Sequence, residues 1–229
     1  MERHFQREME SLKTSLIKMG SVVEENFGIA MRSVLEMKED LAHKVVEADK
    51  RVDSLEIEID NAVIDMLALQ QPVASDLRFI LAALKINNDL ERMGDHAVNI
   101  AESALTMAKS KRYESLLEIP KMFEIASTML RDVLNSFVHL SPKIALSVLE
   151  RDDVIDDLNR VMTIEVIELL QKNHTMIEAG LELIRVSRNL ERIADLTTNI
   201  AEDVIFLTQA RVVKHHADER VGSHEKPGS

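Results

Sequence analysis

Four pairs of acidic side chains, each pair four residues apart, are the groups in this sequence that could do chemistry. Glu91/Asp95 and Glu191/Asp195 lie in two copies of one stretch, LERMGDHAVNIAE at 90–102 and LERIADLTTNIAE at 190–202, identical at eight of thirteen positions and offset by one hundred residues. Asp49/Asp53 and Asp152/Asp156 form the other two, offset by 103 residues within DKRVDSL and DDVIDDL. Residues four apart share one face of a helix, where like charges cost about 0.2–0.5 kcal/mol per pair. Four carboxylates gathered in one place would repel one another and hold protons more tightly. A hard cation relieves that repulsion, because such ions take oxygen ligands. Asn99, Glu102, Asn199 and Glu202 continue the acidic stripe and would complete a shell. The expected site is therefore one acidic metal site per half, built from Asp49, Asp53, Glu91 and Asp95 and from Asp152, Asp156, Glu191 and Asp195. The ion would be divalent or trivalent (iron, zinc, magnesium or manganese), with no organic cofactor. The same spacings also occur on solvated helix faces, and Arg51, Arg92, Arg160 and Arg192 stand where they could neutralise the acids.

Positioning such pairs needs helices, and the chain supplies them. Apolar residues recur in steps of three and four at Leu12, Leu16, Met19, Val23, Phe27, Ala30, Val34 and Met37, giving one amphipathic helix over 2–37. Asp40 is the expected N-cap of a second helix over 41–70, and Gln71-Pro72 ends it. A third runs over 74–109 from Ser75-Asp76-Leu77-Arg78. The second half repeats the plan, with helices from Pro120, over 143–172 after Ser141-Pro142, and over 175–210 after Asn173-His174. No segment sustains period-two alternation, so no sheet is expected. The fold class is all-α: two tandem, internally duplicated three-helix bundles of six long helices, over 1–112 and 113–210, with a flexible polar tail at 211–229. The joint falls within the charged stretch 109–118.

Composition excludes several function classes. The 229 residues carry a formal net charge of −12, which opposes binding to nucleic acid or adsorption to an anionic membrane. Aromatics are 3 % with no Trp, while twelve Met serve as core filler. No Cys is present, so neither disulfides nor thiolate metal sites arise. The charged N-terminus lacks a secretory signal core, and no apolar run is long enough to span a membrane, so a cytoplasmic protein without membrane insertion is expected. A Gly-rich phosphate loop, GxSxG, HExxH and the Glu-x-x-His of di-iron bundles are all missing. His96, whose equivalent in the second copy is Leu196, reads as a lone surface or satisfied histidine.

The doubled LER-[MI]-x-D-x-x-x-N-I-A-E, the SDLR that follows QQP, and Met19-Gly20 resemble the PhoU family over about residues 5–210. That resemblance implies a pair of three-helix bundles and a non-enzymatic, cytoplasmic negative regulator of phosphate uptake and phosphate-starvation signalling. It further implies partners in the cytoplasmic parts of the phosphate ABC transporter and in a sensor histidine kinase, a homodimer, and metal on the acidic E/D-xxx-D motifs Asp49/Asp53, Glu91/Asp95, Asp152/Asp156 and Glu191/Asp195. Asn189 in place of Asp89, Ala194 in place of Gly94, and the absence of a second DLR set the two halves apart. The alternative on the same carboxylates is a metal-dependent helical enzyme or a metal store.

Overall fold

A computed structural model describes residues 2–70, 72, 74–110 and 117–209. The helices are α1 (Glu2–Glu36), α2 (Glu39–Gln70), α3 (Ala74–Ser110), α4 (Ile119–His139), α5 (Pro142–Leu149), α6 (Asp152–Lys172) and α7 (Ile177–Gln209), with a 3-10 turn at His174–Met176. No strand occurs among the described residues. α1, α2 and α3 pack as one three-helix bundle, and α4, α5/α6 and α7 as the other. The central helix of the second bundle is thus delivered in two segments, where one helix over 143–172 was expected. The break at Glu150–Arg151 carries neither Gly nor Pro. Arg151 leaves the helix to donate to Asp132 and to the Ser147 carbonyl, and Asp152-Asp153 restart the helix with acids in its first turn.

The duplication extends to the turns. Met37 after α1 and Leu140 after α4 both adopt left-handed backbone, with φ of 50° and 48°. The same two bonds close each turn: Lys38 and Ser141 donate to Ser33 and Ser136, at 3.1 and 2.9 Å, and Met37 and Leu140 donate to Val34 and Phe137. These bonds satisfy carbonyls that a helix end leaves open. α2 then begins two residues earlier than the sequence suggested, so Asp40 sits inside its first turn rather than at the cap. There its charge still favours the positive end of the helix dipole. α1 runs unbroken through Gly20 and Gly28, as expected. A Cβ at Gly20 would lie 2.6 Å from a Leu134 methyl, so this glycine lets α4 approach α1.

One contiguous buried cluster runs through both bundles. It is aliphatic and Met-rich, with Met19, Met31, Met93, Met122, Met129 and Met162 fully buried. Phe27 and Phe123 meet edge to face across the halves at 5.3 Å. The most extensive pairing between the halves is α3 against α7. Lys85 reaches Asp203, and Arg185 reaches Glu102, so the two helices are antiparallel. The stretch 111–116, most of the expected joint, and the tail at 211–229 lie outside the described residues.

Candidate functional site

Spacing and packing together place the duplicated acids. The buried faces of α2 and α3 meet through Val52, Leu55, Ile59, Ile86, Leu90 and Met93. The flank beside that seam carries Asp49 and Asp53 on α2 and Glu91 and Asp95 on α3. Gly94 brings the two helices close, since a Cβ there would lie 3.0 Å from Asp49 Oδ1 and 3.3 Å from a Val52 methyl. Asn87 fixes the register by donating to Asp60 at 2.9 Å and to the Glu56 carbonyl at 3.1 Å.

The acids on this flank act on one another electrostatically. Burial, then Asp53 and Asp95, push Asp49 up to about 6. Burial, then Asp95, Glu56, Asp53 and Asp49, push Glu91 up to about 7. No basic group opposes either shift. Glu56 is raised by burial and by Asp60, Asp53 and Asp95. Glu56 and Asp60 therefore belong to the cluster, although the sequence reading left them out of the site. The signal was present, because Asp49, Asp53, Glu56 and Asp60 repeat in steps of four, three and four.

The second half builds a lighter version. Burial and Asp195 raise Glu191, against Arg192, with Asp156 adding to the rise and a hydrogen bond from Asn159 opposing it. Burial also raises Asp195, but Arg192 bonds it at 2.9 Å and His96 lies near enough to lower it. At the positions of Glu56 and Asp60 stand Asn159 and Thr163. Asn159 accepts from Ser187 at 2.6 Å. Asp156 thus acts on Glu191 and Asp195, while Asp152 sits one turn earlier as the first residue of α6. Of the four arginines that could have neutralised the acids, Arg192 bonds Asp195. Arg92 reaches Asp89, Arg51 reaches Glu58 and Arg160 pairs with Asp157.

The further shell expected from Asn99, Glu102 and Asn199 is corrected by the structure. Arg185 donates to Asn99 at 3.3 Å and to Glu102 at 2.7 Å, and Asn199 bonds Asp89. These groups tie α3 to α7 instead. As expected, His96 is satisfied: its Nδ1 lies 2.8 Å from Asn189 Oδ1. Between the halves Asp89 is nearly buried, and burial and Asp203 push it up to about 6.

The all-oxygen donor set of the first half suits a hard cation, and its raised carboxyls are what such an ion would relieve. Among the described residues, however, no three His, Asp or Glu side chains are gathered as a ready ligand set. The acids feel one another without closing a coordination shell, so holding an ion would require side chains to turn inward. No helix among the described residues is long and apolar enough to cross a membrane.

Comparison with known proteins agrees with this architecture. The PhoU domain model matches twice, over residues 16–104 and 119–204, once in each half. A phosphate-specific transport system accessory protein PhoU homolog from Aquifex aeolicus is 37 % identical over 215 residues, covering 93 % of this chain and 97 % of that protein. A homolog from Thermotoga maritima is 34 % identical, covering 92 % and 91 %. Among solved structures, PhoU from Pseudomonas aeruginosa superimposes with a TM-score of 0.88 at 31 % identity, covering 90 % of this chain and all of that one. The phosphate transport system regulatory protein PhoU from Streptococcus pneumoniae does so with 0.85 at 27 %, covering 92 % and all of it. With a domain model matched in each half and relatives aligned along nearly the full length, this chain belongs to the PhoU family.

Proposed function

We propose that this chain is a non-enzymatic accessory regulator of phosphate transport. It restrains uptake and keeps phosphate-starvation genes silent when phosphate is plentiful, by contact with the cytoplasmic side of the phosphate ABC transporter and with a sensor histidine kinase. The observation that supports this most directly is similarity over nine-tenths of the chain to accessory proteins of the phosphate-specific transport system. The chemistry of the molecule is in keeping: its acids cluster on a helix flank rather than around a substrate cavity, and the sequence holds no nucleophile–base motif. A strain lacking the gene should express phosphate-starvation genes in high phosphate and be silenced again by the wild-type copy. Silence in the deletion strain would sink the proposal.

A cation on the first half is a second element of the proposal. Asp49, Asp53, Glu91 and Asp95 would hold it, with Glu56 and Asp60 adding negative potential. The ion would supply neutralisation, fixing the α2–α3 flank in one arrangement. The second half, with Arg192 already on Asp195, would bind it more weakly. Elemental analysis of protein purified without chelator tests this. Metal bound equally by wild type and by the Asp53→Ala/Glu91→Ala variant would remove these residues from the site.

A further inference from the structure

We propose that the α2–α3 flank of the first half is a docking surface for a basic, amphipathic helix of a partner protein. This rests on the regulator reading above and specifies the chemistry of the partner. On α2 the flank holds positions 49, 53, 56, 57, 60, 64 and 67, and on α3 positions 77, 81, 84, 88, 91 and 95, in steps of three and four apart from the adjacent pair 56 and 57. The bond from Asn87 to Asp60 and the approach of Gly94 to Asp49 set these two rows side by side in antiparallel register. Six of the thirteen positions are acidic, six are Ile or Leu, and one is Asn88. Although the chain contains 28 Lys and Arg, not one falls here.

The two chemistries lean to opposite ends of the flank and overlap at Glu56, Ile57 and Asp60. One end holds Asp49, Asp53, Glu91 and Asp95. The other holds Ile64 and Leu67 on α2 and Leu77, Leu81 and Leu84 on α3, with Ile57 at the overlap. All six are more than a third exposed, and Ile57 and Ile64 reach 59 % and 61 %. Scattered surface leucines are ordinary, but a contiguous apolar patch beside one sign of charge marks an interaction site. From Leu77 to Asp95 the surface extends about 27 Å at 1.5 Å per residue, the length of an eighteen-residue helix. An occupant that fits lays Leu or Ile side chains on the apolar end and sets Lys or Arg over the acids, as helix-in-groove partners do. A second copy of this chain fits poorly, because these positions supply no Lys or Arg to meet the six acids of another copy.

The test uses the full chain and two labelled eighteen-residue peptides of equal composition. One has Leu at helical spacing in one half and Lys and Arg in the other, and its partner has the same residues scrambled. Fluorescence anisotropy should show the patterned peptide binding at least tenfold more tightly than the scrambled one. Affinity should fall about tenfold or more with Ile64→Glu/Leu81→Glu. It should stay unchanged with Leu69→Glu, which lies on another side of α2. Glu91→Gln/Asp95→Asn should weaken binding and flatten its salt dependence. Equal binding of both peptides, or no loss with Ile64→Glu/Leu81→Glu, overturns the docking surface. So does a wild-type dimer that this double variant dissociates, with no peptide bound, since the flank is then an interface between copies. Overlapping peptides from the cytoplasmic parts of the phosphate transporter separate the two proposals. If the patterned peptide binds and no transporter peptide does, the surface stands and the transporter contact falls.

Discussion

Replacing Asp89 by Asn should stabilise the protein above neutral pH and have little effect below about pH 4. Asp89 is 7 % exposed at the α3–α7 contact, with Asp203, Lys85, Arg92, Asn88 and Asn199 around it. Its carboxyl is raised from an ordinary 3.8 to about 6, first by burial and then by Asp203. An acid held above its unfolded value keeps its proton longer in the folded chain. Its contribution to stability is therefore intact below about pH 4, falls between about 4 and 6, and is fully lost above that. The shift corresponds to roughly 3 kcal/mol, and halving it for partial solvent screening leaves about 1.5 kcal/mol. The second half already carries this isostere, because Asn189 stands at the equivalent position and bonds the Arg185 carbonyl at 2.8 Å. Asp89→Asn gives up the 3.9 Å contact with Arg92, which at the surface contributes at most a few tenths of a kcal/mol to about 1 kcal/mol. The expected net gain at pH 8 is about 1 kcal/mol, or a rise in Tm of about 2–4 °C for a chain of this size. Urea unfolding of both proteins at about pH 4 and at pH 8 measures it. An equal difference at the two pH values, or a loss at pH 8, would refute the reasoning that an ionised Asp89 strains this contact.

The other predictions concern the site and the helix contacts. Wild type should lose stability as pH rises from about 4 to about 7, the window set by Asp49 and Glu91, and millimolar divalent cation should restore part of it. Thermal melts with and without EDTA would show no such rescue in Asp49→Asn/Glu91→Gln. Gly94→Val should cost about 1–3 kcal/mol by forcing α2 away from α3, read as a lower urea midpoint. By contrast, Ala194→Gly should cost only about 1 kcal/mol, as for any glycine in a helix interior. Gly20→Val should push on Leu134 and weaken the α1–α4 contact by about 1–3 kcal/mol, with hydrogen exchange accelerating first in α4.

The acidic pairs were legible because a four-residue spacing fixes a shared helix face, whatever the helix later packs against. That logic fails along a helix long enough to change neighbours. Glu91 and Asp95 meet α2, whereas Asn99 and Glu102 on nearly the same stripe meet Arg185 of α7. Spacing alone carries no information about where one neighbour gives way to another. The break at Glu150–Arg151 was hidden for a related reason: no Gly or Pro announces it, and the cause is a tertiary bond from Arg151 to Asp132. By contrast, the ends marked by Pro120 and by Ser141-Pro142 fell where backbone restrictions require. The difference between the halves was partly visible in Asn189 and Ala194. Its electrical side, a first cluster with no basic partner beside Glu91 and a second clamped by Arg192, needed coordinates.

The unbroken apolar interior has a consequence for how the duplicated parts behave. Phe27 touches Phe123, and Leu134 presses on Gly20, so neither repeat closes its own hydrocarbon without the other. An ancestor made of one repeat would have needed a companion molecule to cover that surface. Within one chain each repeat permanently supplies the cover the other lacks, so a substitution at Phe27 or Phe123 loosens both at once.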